Sequence, residues 1–183
     1  MNPPVAVDKA AAGGLRLNLG GRSSVLPGFK TVDLKEGPTV DYVADISELK
    51  MFENGTVDEI YASHCLEHFP HTHTLAVLKE WRRVLRDRAR CYIAVPDVDA
   101  AVRLIGKEGL TDFIRNLLWG DQEYVLAFHF TGFTFASLAR ILTQAGFHDV
   151  KRLNDMPYGV VDCSKLVDNH YYIPISLNVE AIA

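Results

Sequence analysis

The chain has 183 residues, of which 48% are hydrophobic and 23% are charged, and its formal net charge at pH 7 is −4. A chain of this length is expected to form one domain around one sizeable core. The acidic balance gives no electrostatic reason to expect nucleic-acid binding, and no apolar run approaches the roughly 20 residues that a bilayer span requires.

The amino terminus and the cysteines indicate the cellular compartment. Residues 1–14, MNPPVAVDKAAAGG, contain neither the charged start nor the apolar core of a secretory signal. Cys65, Cys91 and Cys163 are an odd, scattered set without CxxC spacing, which is typical of a reducing compartment. We therefore expect a cytoplasmic protein that has neither a membrane nor a nucleic acid as a partner.

The first half of the chain alternates short strand patterns with short connections. Residues 1–13, rich in proline, alanine and glycine, are expected to be a flexible lead-in to a single domain over residues 14–183. Apolar residues at helical spacing predict an amphipathic helix over 73–87. The connections 20–29 and 35–40 are too short for full crossover helices. The predicted strands are 15–19, 29–34, 42–44, 57–62 and 91–95.

The second half is predicted to contain more helix. Residues 100–105 and 113–118 have helical patterns, and Thr134 can cap a further helix that Gly146 ends. Strands are predicted over 147–153 and 173–182. Strands that alternate with helices indicate an α/β fold, here a doubly wound sheet with helices on both faces and short early helices.

Polar residues and glycines follow the predicted strands at the points where each strand ends. In open α/β sheets, ligands bind beyond the carboxyl ends of the strands. Glycines there let the backbone approach a ligand, and an acid at the next strand end can accept both hydroxyls of a ribose. This pattern predicts a site for a nucleoside cofactor. The residues at these ends are Gly20, Gly21, Asp33, Asp45, Ser63, His64 and Asp97.

Four blocks of sequence, LNLGGRSSVLPGFKTVDL, DYVADISEL, VDEIYASHCLEHF and LKEWRRVLRDRARCYIAVPDVD, resemble the class I S-adenosylmethionine-dependent methyltransferases. The similarity is greatest to the small-molecule group called methyltransferase type 11, and a weaker block, FTFASLARILTQAGFHDVKRL, matches its late helix and sixth strand. The resemblance implies a Rossmann-like, mostly parallel sheet that ends in an antiparallel strand. It also implies methyl transfer from S-adenosylmethionine to a small-molecule or glycan-related acceptor.

The resemblance assigns residues to the cofactor one by one. Asn18, Gly20 and Gly21 would lie under the methionine moiety, and Asp33 would hold the ribose. Asp45 and Ile46 would line the adenine, and Ser63 would lie near the sulfonium.

On the acceptor side, the resemblance places His64 where the fourth strand meets the sulfonium and the incoming substrate. A hydroxyl or amine acceptor requires a base, and His64 and His68 are the candidates. Glu67 and Asp97 are further candidates for substrate contact.

Two positions depart from the family pattern. Arg22 replaces the second glycine of the family's first loop, and residues 87–90 replace a Gly-Gly pair before the fifth predicted strand. A side chain at position 22 would intrude on the cofactor unless the loop is rerouted. The alternative hypothesis is therefore a methyltransferase-like binding module that has lost catalysis and acts in assembly or regulation.

A second motif overlaps the third block. His64, Glu67 and His68 match H-x-x-E-H, the zinc signature of inverted metallopeptidases. That signature requires both histidines on one helix face, whereas Pro70 would end a helix here after one turn. We therefore expect no metal, and a zinc hydrolase is the lesser alternative. A dinucleotide oxidoreductase is disfavoured because the full G-x-G-x-x-G is missing.

Two further clusters have a structural and a functional interpretation. A run of arginines predicts a solvated helix face and turn, or else a phosphate or partner site. Late aromatic residues predict packing under the last helix, or else a wall of the acceptor pocket. The arginines are Arg82, Arg83, Arg86, Arg88 and Arg90, and the aromatics include Phe128, Phe130, Phe133, Phe135, Tyr171 and Tyr172.

Overall fold

The computed structural model describes residues 14–21, 25–159, 165–168 and 171–183. The predicted lead-in over 1–13 and Arg22 lie outside the described residues. No helix within the described residues is long and apolar enough to cross a membrane.

A seven-stranded sheet forms the centre of the fold. Its order is β3-β2-β1-β4-β5-β9-β6, in which β9 runs antiparallel between β5 and β6 and the other six strands share one direction. The predicted mostly parallel sheet with an antiparallel carboxyl-terminal strand is confirmed. The strands are β1 (Arg16–Leu19), β2 (Lys30–Asp33), β3 (Tyr42–Val43), β4 (Val57–Ser63), β5 (Leu85–Pro96), β6 (His148–Leu153) and β9 (Ser176–Ile182).

The remaining two strands form a separate hairpin, in which β7 (Lys165–Asp168) pairs antiparallel with β8 (Tyr171–Pro174). The strand predicted over 173–182 is therefore divided between β8 and β9. The backbone leaves the hairpin at Pro174 and joins the main sheet at Ser176, so one run of apolar sequence serves two sheets. Hydrophobic patterning alone does not show such a division.

The four helices are α1 (Thr74–Val84), α2 (Val98–Glu108), α3 (Asp112–Trp119) and α4 (Phe135–Ala145). As predicted, Thr134 caps α4 in a reciprocal capping box with Ser137, and Gly146 ends it with φ +100°. The connections from β1 to β4 contain no helix among their described residues. The short early helices predicted from the sequence are therefore not formed in the described part of these connections, which are too short for full crossover helices.

The helix predicted over 73–87 ends at Val84. Leu85 adopts an extended conformation and begins the 12-residue strand β5, where the amide of Arg88 donates to the carbonyl of Ala183. Only Arg82 and Arg83 lie on the helix, so the prediction of one helix face and turn for the arginine cluster was wrong. Pairing with neighbouring strands outweighed the helical preference of this segment.

The two faces of the sheet are covered differently. Helices α1 and α4 pack on one face, where Trp81, Leu138 and Leu142 are fully buried. On the other face, Tyr61 and Tyr92 pack with Leu26, Phe29 and Met156, and none of these three covering residues is in a helix. Loop residues rather than helices therefore cover this part of the second face.

Candidate cofactor and acceptor cleft

A cleft of about 340 Å³ opens at the carboxyl ends of β1, β2 and β4. This volume lies within the range of small-molecule sites, about 300 to 1,000 Å³. Six of the residues predicted from the sequence line it: Gly20, Asp33, Asp45, Ile46, His64 and His68. These six predicted residues therefore share one cavity, which Asn18, Gly21, Ser63, Glu67 and Asp97 do not line.

Two glycines after β1 lie so close to neighbouring side chains that a larger residue at either position would clash. Gly20 has φ +70°, and a Cβ there would lie 2.8 Å from the Cβ of Cys65. A Cβ on Gly21 would lie 2.0 Å from the side-chain amide nitrogen of Asn18. Asn18 is buried beneath this glycine loop and does not line the cleft.

Two acids shape the turns on this side of the cleft. Asp33, at the end of β2, accepts a hydrogen bond from the amide of Lys35 at 2.9 Å. Asp45 accepts from the amide and the hydroxyl of Ser47 at 2.8 and 2.6 Å. Both acids therefore serve as turn residues and as polar lining of the cleft.

Ile46 is held from below by the core. The buried indole nitrogen of Trp81 donates to the carbonyl of Ile46 at 2.8 Å. Arg83, two residues further along the helix, donates to the carbonyls of Leu49 and Phe52. The hydrogen bonds that Arg83 donates to the Glu80 carboxylate raise the pKa of Arg83 and lower the pKa of Glu80. Helix α1 thereby anchors the loop that carries Asp45 and Ile46.

On the opposite wall, His64 is held by two hydrogen bonds. Its Nδ1 lies 3.2 Å from Oε1 of Glu67, and its Nε2 lies 2.9 Å from the hydroxyl of Ser176 in β9. With Nδ1 donating to the carboxylate, Nε2 accepts from Ser176. The residue has φ +52°, an uncommon conformation for a non-glycine residue that the two hydrogen bonds help to hold.

His68 and His129 lie beside Glu67. Their rings meet edge to face with centroids 5.0 Å apart. Nδ1 of His68 donates to the carbonyl of Phe128 at 2.9 Å, and Nδ1 of His129 donates to the carbonyl of Leu117 at 3.1 Å. Burial lowers the pKa of His129, so this ring is neutral at pH 7. One potential ligand atom from each of Glu67, His68 and His129 lies within 4.8 Å of the other two.

Ser63 and Asp97, two predicted site residues, do not line the cleft. Ser63 ends β4 opposite Ala94. Asp97 is fully buried, accepts from the amide of Asp99 at the start of α2 at 2.9 Å, and pairs with Arg152 at 2.5 Å. Its observed contacts are those of a helix cap and an ion pair.

The arrangement required by the metallopeptidase signature is not formed. Residues Leu66–His68 make a single 3-10 turn, and His64 and His68 hydrogen-bond to different partners, Ser176 and Phe128. His71 and His73 are exposed. The signature therefore matches a strand end and a turn rather than a helix face.

The cleft also contains residues that sequence reasoning did not assign to it. They are Leu34, Lys35, Cys65, Phe69, Tyr124 and Leu126. The ammonium of Lys35 lies 4.9 Å from the ring centroid of Tyr124. This cation–π contact connects the two sides of the cleft. Burial raises the pKa of the Cys65 thiol well above its ordinary value. Cys65 therefore contributes an uncharged thiol to the lining of the cleft. The aromatic cluster predicted from the sequence begins at Phe128, four residues after Tyr124. It is the nearest sequence signal for Tyr124.

A family model described as "Methyltransferase domain" matches residues 27–93. A solved S-adenosylmethionine-dependent methyltransferase from Archaeoglobus fulgidus is similar with TM-score 0.61 and 17% identity over 93% of this chain and 87% of that one. A possible histamine N-methyltransferase from Thermotoga maritima is similar with TM-score 0.59 and 16% identity over 92% and 82%. A search of the curated proteins found no match.

A third similar structure is the 1,6-didemethyltoxoflavin-N1-methyltransferase of Burkholderia thailandensis, solved with its substrate and S-adenosylhomocysteine. Its TM-score is 0.54, with 18% identity over 92% of this chain and 70% of that one. At such identities the likeness shows the fold. The fold is that of the class I S-adenosylmethionine-dependent methyltransferases, as the sequence blocks predicted, and the methyltransferase-domain model matches residues 27–93 of this chain.

Proposed function

We propose that the chain binds S-adenosylmethionine in the cleft and transfers its methyl group to a small-molecule acceptor. The observation that carries this proposal is the convergence of Gly20, Asp33, Asp45 and Ile46 on one cavity. The cavity has the volume of a small-ligand site, and the glycine loop provides the bare backbone that a close ligand approach requires.

The residues present fit the cofactor. The carboxylate of Asp33 would hold the ribose hydroxyls, Asp45 and Ile46 would border the adenine, and Gly20 and Gly21 would lie under the methionine moiety. Asn18 would support that loop from beneath, and Ser63 would contribute from the strand end. When bound, S-adenosylmethionine supplies a methyl group on a sulfonium that already carries its activation.

The chain itself must orient the acceptor, exclude water and accept a proton. Lys35, Tyr124 and Leu126 border the cleft and restrict solvent on its open side. His68 is the preferred base for a hydroxyl or amine acceptor, because its Nδ1 donates to the carbonyl of Phe128 and Nε2 of the neutral ring then has the lone pair. His64 uses both ring nitrogens on Glu67 and Ser176 and is a positioning residue in this proposal.

The acceptor is proposed to be small, with a glycan-related compound as a second class that the sequence resemblance suggests. The apolar wall of Phe69, Tyr124 and Leu126 supports a partly apolar small molecule. Turnover against a panel of hydroxyl and amine compounds and short saccharides would separate the two classes. Activity on saccharides alone would contradict the small-molecule assignment. We also propose a cytoplasmic location, which the free thiols of Cys65 and Cys91 support.

The first test is thermal unfolding and calorimetric titration with S-adenosylhomocysteine. A ligand at 100 times its dissociation constant stabilises by about 2.7 kcal/mol, which raises the midpoint of unfolding by several degrees. Asp33→Ala should raise the dissociation constant by about 10- to 100-fold, because hydrogen bonds to a charged group contribute about 1.5–3 kcal/mol. The matched control is Glu36→Gln, an exposed acid three residues away.

An unchanged affinity in Asp33→Ala would contradict the assigned ribose site. No binding to the wild-type protein, with binding restored in Arg22→Gly, would show that Arg22 blocks the cofactor and would favour the non-catalytic binding module. No binding to either protein would overturn the proposed function.

A further inference from the structure

Glu67, His68 and His129 form a cluster of which the proposed methyl transfer uses only His68 as a base. One potential ligand atom from each residue lies within 4.8 Å of the other two. Glu67 and His68 come from the turn after β4, and His129 comes from the segment between α3 and α4. The cluster is therefore assembled by the tertiary fold rather than by one local motif.

The hydrogen bonds of the two histidines determine which ring nitrogens are available. A carbonyl oxygen only accepts, so Nδ1 of His68 carries the proton that it donates to Phe128, and Nδ1 of His129 carries the proton that it donates to Leu117. In a neutral ring, Nε2 then has a lone pair and no proton. A backbone carbonyl on the other ring nitrogen is the usual way in which histidine ligands of metals are oriented.

The carboxylate of Glu67 is oriented as well. Its side chain is fully buried, and Oε1 accepts from Nδ1 of His64 at 3.2 Å. Its other oxygen, Oε2, is buried without a hydrogen-bond partner among the described residues. A buried carboxylate oxygen left in this state costs free energy unless a cation or a donor compensates it. With both histidines in the neutral form, each of the three side chains thus has a lone pair to offer to an ion.

We propose that Glu67, His68 and His129 bind one divalent transition-metal ion of the zinc class. Two imidazoles and one carboxylate, with a further position left open, form a ligand set that such ions accept. Ligand atoms around a tetrahedral zinc ion lie about 3.3–3.6 Å apart, a spacing that small side-chain movements can reach from atoms within 4.8 Å of one another. His64 is not a ligand in this site, because it holds Glu67 through Oε1. The ligand set therefore differs from that of the metallopeptidase signature.

An ion in this site would lie at the acceptor side of the cleft, because His68 lines the cleft. Nε2 of His68 cannot bind an ion and accept a proton at the same time. In the ion-bound protein the acceptor would therefore contact the ion. In the ion-free protein the acceptor would contact Nε2 of His68. This role toward an acceptor rests on the proposed function, whereas the binding of the ion does not.

The test is a calorimetric titration of chelator-treated protein without a histidine tag, using Zn²⁺ alone. We expect one saturable site per chain. His129→Ala and His68→Ala should each weaken binding by at least about 10- to 100-fold, the loss that removal of even a supporting outer residue causes. The matched control is the double variant His71→Ala/His73→Ala, which removes two exposed histidines of the same segment.

Co²⁺ provides a second readout that does not depend on variant stability. The wild-type protein should show the visible absorption of a four- or five-coordinate nitrogen and oxygen site, and Glu67→Gln should lose it. Saturable binding that survives in His129→Ala, loss of binding in the control double variant, or no saturable binding to the wild-type protein would each overturn the proposal. A parallel titration with S-adenosylhomocysteine separates the two proposals, because cofactor binding can succeed where zinc binding fails.

Discussion

Gly20, Asp33 and Asp45 each lie at the end of a strand or within two residues of it, and together they form one wall of the cleft. On the other wall, His64 is held by Ser176, 112 residues away, and His68 is held by the carbonyl of Phe128, 60 residues away. The first wall depends on local turns, and the second depends on contacts between distant segments. In the proposed function the first wall binds the cofactor and the second wall faces the acceptor. Substitutions in the first wall should then change cofactor affinity, and substitutions in the second wall should change turnover.

The largest effect is expected for Gly20→Ala on the first wall. Its Cβ would lie 2.8 Å from the Cβ of Cys65 at a φ of +70°, and a β-carbon in this conformation costs about 1–2 kcal/mol before the clash is counted. The loop must shift, so we expect the affinity for S-adenosylhomocysteine to fall by at least about 100-fold, or about 2.7 kcal/mol. Calorimetric titration measures this change.

The control for Gly20→Ala is Gly106→Ala in helix α2. A Cβ at position 106 meets nothing within 4 Å, and alanine is favoured over glycine in a helix by about 0.5–1 kcal/mol. Gly106→Ala should raise the free energy of unfolding slightly and leave ligand affinity unchanged. Equal affinities in both variants would show that the glycine loop does not approach the cofactor.

Asp97→Ala should affect stability rather than either wall. The carboxylate caps α2 and pairs with Arg152 while fully buried. Loss of a helix cap costs about 1 kcal/mol, and loss of a hydrogen bond to a charged group costs about 1.5–3 kcal/mol. We expect urea denaturation to show a decrease of about 2.5–4 kcal/mol in the free energy of unfolding, with Asp97→Asn losing less. A large loss of activity at unchanged stability would restore Asp97 as a substrate residue.

Ser176→Ala tests the second wall without touching the first. The variant removes the hydroxyl that donates to Nε2 of His64, so His64 and Glu67 lose part of their orientation. We expect kcat to fall by about tenfold, or about 1.4 kcal/mol, while the affinity for S-adenosylhomocysteine stays within twofold. Thr143→Ala, which removes an exposed hydroxyl on α4, is the control. A larger effect on cofactor affinity than on kcat would show that the two walls are not separate.

The smallest effect is expected from Glu80, which anchors the loop of the first wall through Arg83. The hydrogen bonds from Arg83 lower the pKa of Glu80 below its ordinary 4.5. The stabilisation is therefore present above pH 4.5 and is lost as the pH falls through the lowered folded pKa. Glu80→Gln should lower the free energy of unfolding at neutral pH by about 1 kcal/mol or less. It should also flatten the curve of unfolding free energy against pH in this range. Glu53→Gln, an exposed acid, should keep the wild-type slope.

The methyltransferase-like sheet with its antiparallel strand and the capped helix α4 were predictable because each strand and helix is encoded within a short segment. Leu17 and Leu19 alternate with polar residues, Thr134 and Gly146 bound one helix, and Gly20 and Asp33 follow strands directly. The end of α1 was not predictable. The segment after Val84 continues a helical pattern, and only pairing with β4 and β9 makes it a strand.

The sequence by itself determined most of the strands and helices and the strand-end residues of the first wall, because hydrophobic period, glycine conformation and turn-forming acids act over a few residues. Only the tertiary structure decided that Asp97 is a cap and ion-pair residue, that Ser176 holds His64, and that His129 lies beside Glu67 and His68. These contacts join segments far apart in the chain. Their geometry depends on how the strands and helices pack, which no local pattern of residue types specifies.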